Sequence, residues 1–178
     1  IINCVLSGNS GEDSGGLGVA GSSDVRVWCS TIANNSASDV GGGIAVGSSA
    51  DLDLVNSILW SNTSGSGATL QEDQVYIVGG GIATFLSCCL QDHDGISTDA
   101  HTHGADPLFL DPDGADDVIG TLDDDYRVDV RSSCIDTGLD SQIPAGVTTD
   151  LTGNARVVDC VDIGAICLLY TSDAADEV

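Results

Sequence analysis

Three stretches of the chain are versions of one another: CVLSGNS from Cys4, STIANNS from Ser30 and SILWSNT from Ser57. A looser copy, CCLQDHD, starts at Cys88. A repeat of this length, rich in Gly, Asn, Ser and Val, predicts stacked coils rather than an ordinary globule, because each unit buries its apolar face only against its neighbours. Aligning the second and third copies puts Val25 over Leu52, Arg26 over Asp53, Val27 over Leu54 and Asn35 over Asn62. Val-Arg-Val and Leu-Asp-Leu alternate with strand period, so the apolar residues face inward and the charged ones outward. The expected fold is all-β, a right-handed parallel β-helix with little or no α-helix, its coils spaced by about 4.8 Å.

Stacking the coils in parallel sets Arg26 beside Asp53 as a surface pair worth about 0.5 kcal/mol. It also lines up Asn9, Asn35 and Asn62 at one turn. There a side-chain amide can bond the next coil's backbone and tolerate a left-handed conformation. Glycine corners recur at Gly15 and Gly41, read as positions needing positive φ. Cys4, Ser30, Ser57 and Cys88 share one repeat position and read as small fillers of the stack. Trp28 and Trp60 read as packing between coils, with sugar stacking as the other use of such rings. Asn34-Asn35-Ser36 and Asn62-Thr63-Ser64 match the glycosylation sequon, a coincidence within an asparagine ladder.

Residues 1–105 are read as coils, 106–166 as a non-repeating closing segment or cap, and 167–178 as a non-native tail. The chain begins on Ile1 inside a repeat and contains no Met, so it is expected to be an internal segment whose first coil presents an open sheet edge. No signal-like segment and no apolar run of membrane-spanning length is present.

Charge bounds the partners. The chain has no Lys, four Arg and a formal net charge of −24. Such a surface repels nucleic acid, whose binding rests on Lys and Arg, and anionic membranes. It suits solubility in salt or the binding of cations. The densest acidic stretch is Asp111-Pro112-Asp113-Gly114-Ala115-Asp116-Asp117, followed by Asp123, Asp124 and Asp125. Carboxylates at alternating positions around a Gly turn point to Ca²⁺, a hard cation that takes 6–8 oxygens, with Asp111, Asp113, Asp116 and Asp117 as ligands. The bland reading is a hairpin loop splayed into water. His93, His101 and His103 share a loop with Asp92, Asp94, Asp99 and Asp106. That set has the elements of a transition-metal site but no structural zinc spacing, and reads as a solvated loop.

Several pieces in order, NSILWSN at Asn56, DPLFLDP at Asp106, DYRV at Asp125, SSCIDTG at Ser132 and DLTGNARVVDCVDIGA at Asp150, resemble bacterial parallel β-helix proteins of the pectin-lyase-like superfold, closest to the choice-of-anchor Q group. The resemblance implies an extracellular or cell-surface location and a non-catalytic structural, adhesive or glycan-binding role with polysaccharide as partner. The alternative it carries is a polysaccharide lyase or glycoside hydrolase with its active site in other coils. In an exported protein Cys134 and Cys160 are candidates to pair as a disulfide. Separately, CLLYTSDAADE at 167–177 resembles a translated sequencing-library adapter and is set aside from fold reasoning.

Overall fold

The computed structural model describes residues 1–65, 69–93, 97 and 99–168. They form a parallel β-solenoid of about three turns. The first coil holds β1 (Val5–Ser7), β2 (Ser10–Gly11) and β3 (Leu17–Val19). The second holds β4 (Asp24–Trp28), β5 (Thr31–Ala33), β6 (Ser36–Ala37) and β7 (Ile44–Val46). The third holds β8 (Asp51–Val55), β9 (Ile58–Trp60), β10 (Thr63–Ser64), the helix α1 (Leu70–Gln74) and β11 (Val75–Ile77); a fourth begins with β12 (Ile82–Leu86) and β13 (Cys89–Leu90). Equivalent strands pair in parallel into four sheets, β1-β5-β9-β13, β2-β6-β10, β3-β7-β11 and β4-β8-β12.

The register is the one the repeats predict. Val25 pairs with Leu52, Arg26 with Asp53 and Val27 with Leu54. Arg26 Nε lies 3.3 Å from Asp53 and 3.7 Å from Asp24, all three on the solvent face. Inside, Val27, Ile32, Ile44, Val46, Leu54 and Leu59 are fully buried, each contributing about 1.5–3 kcal/mol by leaving water. The thin layers follow from the small side chains available.

The longer third coil takes up its additional residues between β10 and β11, where α1 forms. Thr69 caps it: its hydroxyl accepts from Glu72 N–H while Glu72 bonds back to Thr69 N–H. The T-x-x-E spacing is that of a capping box.

The asparagine ladder has a sharper geometry than expected. Asn35 Oδ1 accepts from the backbone and side chain of Asn9, and Asn62 Oδ1 does the same for Asn35, all at 3.0 Å. The amide nitrogens donate to the carbonyls of Leu6 and Ile32. Gln74 from α1 ends the ladder by accepting from Asn62 Nδ2 at 2.8 Å. The left-handed residues stand one position earlier, at Gly8, Asn34, Ser61 and Asp92. A second left-handed column, Asn3, Cys29, Asn56 and Ser87, stands on the other side of the β1-β5-β9-β13 sheet. Two sharp corners thus set that sheet off from the rest of each coil.

Two sequence readings are corrected here. At the glycine corner only Gly41 has positive φ. Gly15 and Gly42 serve close approach instead: a Cβ on Gly15 would fall 2.2 Å from Gly42 O, and one on Gly42 2.2 Å from Thr63 O. The Ser30 and Ser57 hydroxyls are more than fillers. They accept from the backbone N–H of Cys4 and Ser30 on the preceding coils, at 3.2 and 3.1 Å.

The last coil is covered by residues 99–103, where Thr102 Oγ1 accepts from Cys88 N–H and His103 O from Leu90 N–H. The segment from Asp106 onward runs back along the flank of the solenoid. It contains the hairpin β14 (Phe109–Asp111) and β15 (Asp125–Val128) and the short pair β16 (Val157–Val158) and β17 (Cys160–Val161). It touches every coil: Asn56 bonds Leu139, Tyr126 Oη accepts from Asn34, Ala165 N–H donates to Thr31 and Asn3 donates to Thr149. Gly120 meets Gly8, where a Cβ would lie 2.5 Å from Gly120 Cα. The outer face of the β1-β5-β9-β13 sheet is therefore buried too. Ile58 and Cys89 pack there with Val128, Cys134 and Ile163, edged by Trp60, Phe109 and Ile135. Two-sided burial explains why Ile58-Leu59-Trp60 is continuously apolar while Leu52-Asp53-Leu54 alternates.

Candidate functional site

Three places carry chemistry. The first is buried under the flank segment. His103 continues the β1-β5-β9-β13 sheet by a parallel bridge to Cys89, with His103 N–H donating to Cys88 O at 2.9 Å. Paired strand residues point to the same face, so the His103 ring stands beside the Cys89 thiol on the outer side. Cys134, held by Ile163 N–H on its carbonyl and by Ser132 Oγ on its own N–H, comes down onto both. One ligand atom from each of Cys89, His103 and Cys134 lies within 4.8 Å of the others. Both His103 ring nitrogens are shut off from solvent without a hydrogen-bond partner among the described residues. The Cys89 thiol donates to Ala105 O at 3.1 Å, and its closeness to Cys134 lowers the Cys134 pKa and, with burial, raises that of Cys89. A cavity of about 490 Å³ lined by His101, His103, Asp136, Thr137, Leu139 and Cys160 adjoins this trio.

The expected Cys134–Cys160 disulfide is not formed, and all cysteines are free. Cys134 is turned into the flank core with Cys89, while Cys160 stands half-buried with its thiol 3.5 Å from Gly138 O. Of the three loop histidines, only His103 enters a cluster. His101 Nδ1 sits 3.6 Å from Asp99 at the surface, and His93 does not join them.

The second place is the acidic loop at the tip of the β14–β15 hairpin. Asp111 stands next to Asp113, and burial together with the Asp113 and Asp117 charges raises its pKa. Asp116 accepts from Val118 N–H, Asp123 from Ala115 N–H and Asp124 from Gly120 N–H. Asp125 is paired with Arg127. No three of these carboxylates are gathered within ligand distance of one another among the described residues.

The third is a groove of about 460 Å³ on the outer face of the β3-β7-β11 sheet. Gly18 and Ala45, paired in register, form a flat floor; Tyr76, paired to Ala45, forms one wall; Asp13 and Asp39 also line it. A smaller one of about 220 Å³ lies over Asp24, Arg26, Asp51 and Asp53. Arg26 is paired with Asp53 and Asp24, Arg127 with Asp125 and Arg131 with Asp129, while Arg156 is fully buried, donating from one nitrogen to Asp162 O with its Nε and Nη1 unpartnered among the described residues.

At the chain's end, Cys167 and Leu168 pack in, their N–H groups taken by the Asp150 and Asp162 carboxylates. The rest of the adapter-like stretch lies outside the described residues. No described helix is long and apolar enough to cross a membrane.

The fold defines the chain as a parallel β-solenoid protein with one flank covered by its own C-terminal segment. No protein-family model, curated protein or solved structure matches it.

Proposed function

We propose that the chain is a non-catalytic segment of an exported β-helix protein, of the choice-of-anchor type its motifs resemble, and that it binds polysaccharide at a bacterial cell surface. The observation that supports this is the groove of Gly18, Ala45 and Tyr76 flanked by Asp13 and Asp39. A flat floor admits an extended chain, an aromatic ring stacks on a sugar face, and carboxylates accept hydroxyl hydrogen bonds. The net charge of −24 disfavours a polyuronate ligand, so the glycan is neutral. Lyase chemistry within these residues is disfavoured: it needs a free cation or metal to neutralise a substrate carboxylate, and there is no Lys while each Arg is paired with a carboxylate or buried.

Affinity electrophoresis in gels carrying a soluble neutral β-glucan tests this. Retardation is expected, reduced about tenfold in affinity by Tyr76→Ala, with no retardation by polygalacturonate and no unsaturated product formed from it. Equal retardation of the variant, or turnover of polygalacturonate, overturns the reading.

Calcium at Asp111, Asp113, Asp116 and Asp117 is a separate proposal, supported by the crowding of Asp111 and Asp113. It requires the hairpin tip to close on the ion. Calorimetric titration is expected to show saturable heat that Asp111→Asn plus Asp113→Asn abolishes. No heat at millimolar Ca²⁺ ends the proposal.

A further inference from the structure

The coil architecture uses the backbone of His103 and has no need of its ring. Any residue would carry the bridge to Cys89 and the hydrogen bonds to Cys88 and Leu90. Yet an imidazole stands here beside two thiols, and neither of its nitrogens has a hydrogen-bond partner among the described residues, a costly way to bury a polar group unless something binds it. The surroundings select what that is. Ile58, Val128 and Ile163 wall the site, so a ligand that leaves net charge behind is disfavoured. A dication held by two thiolates is neutral overall. Two soft sulfurs and one imidazole suit Zn²⁺ and disfavour Ca²⁺ or Mg²⁺, which take oxygen. The ligand atoms, all within 4.8 Å, need to close only to the roughly 3.5 Å edge of a tetrahedral centre with bonds of about 2.0–2.3 Å.

We propose that Cys89, His103 and Cys134 bind one Zn²⁺ ion, with a fourth ligand drawn from the adjoining cavity that His103 also lines. The ion ties three segments far apart in the chain: the last coil, the strand-like stretch that covers it, and the flank segment. It thereby locks the flank onto the solenoid. The sites weighed above for glycan and calcium lie elsewhere, so this proposal stands or falls without them.

The experiment uses the full chain, purified with reductant and stripped with a chelator. Co²⁺ is added as a spectroscopic stand-in, then Zn²⁺. We expect a thiolate-to-cobalt charge-transfer band with intense tetrahedral visible bands, saturating at one ion per chain and bleached by Zn²⁺. Zn²⁺ should raise the melting temperature, and the chelator should reverse it. Cys134→Ala, which leaves a small apolar filler, should weaken binding about a hundredfold or more, while Cys160→Ala should leave it unchanged. Circular dichroism matching the parent confirms that the Cys134 variant is folded; if it is not, His103→Gln, which keeps the backbone bridge, gives the same readout. Absence of the thiolate band in the reduced parent overturns the proposal. So does binding that survives both Cys134→Ala and His103→Gln. A Cys89–Cys134 disulfide found by mass spectrometry, in protein whose reduced form takes no metal, overturns it in favour of a redox pair.

Discussion

Asn35→Ala is expected to destabilise the fold by about 3 kcal/mol, lowering the melting temperature by roughly 10 °C in thermal unfolding. The side chain is buried between two coils. Its oxygen serves the N–H and amide of Asn9; its nitrogen serves Leu6 O, Ala33 O and Asn62 Oδ1. Alanine strands several of these groups where water cannot reach them, at about 1–3 kcal/mol each before relaxation. Asn9→Ala removes the same amide at the exposed end of the ladder and is expected to cost under about 1 kcal/mol. Equal losses in the two variants would mean that the ladder is not what holds the coils in register at this corner.

Arg156→Ala is expected to cost about 3 kcal/mol or more. Arg156 is fully buried and donates to Asp162 O, and its backbone O accepts from Cys167 Sγ. The Asp162 carboxylate accepts from the Asp136 and Leu168 N–H groups; burial raises its pKa, and those bonds and the nearby Arg156 charge lower it. Alanine leaves that carboxylate buried without a cation. The pH dependence follows from the sign: a carboxyl with a raised folded pKa is penalised while ionised, above that value, and relieved as pH falls through it. The deficit of Arg156→Ala relative to the parent should therefore shrink on acidification. Arg156→Met keeps the volume, so it separates packing from charge. A deficit independent of pH would show that Asp162 is not the group Arg156 compensates. Hydrogen exchange should place the loosening in residues 147–168, because the solenoid core is built from other layers.

The motifs from Asp106 onward mark a non-repeating stretch but not its path. Nothing in DPLFLDP or SSCIDTG says that they lie against the outside of a sheet. The nearest local hint was the uninterrupted Ile58-Leu59-Trp60, whose lack of alternation marks a strand buried on both faces. Gln74 carries no repeat signal, because it closes the asparagine ladder from an inserted helix, out of phase with the coils. Cys134 and Cys160 are candidates to pair because both fall in the closing segment; the fold instead sets Cys134 against Cys89.

What the amino-acid order determined by itself is the stacking of the repeats and their register. Parallel coils, the pairing of Val25 with Leu52 and Arg26 with Asp53, and the Asn9–Asn35–Asn62 ladder follow from one rule: a residue recurs where its neighbour on the next coil must match it. Only the tertiary structure decided what does not repeat. His103 reaches Cys89 through one bridge, and Cys134 reaches both by way of a flank segment that retraces the length of the stack. Contacts of that kind are set by how an irregular chain buries its apolar side chains on the surface available, and no periodicity in the sequence encodes that choice.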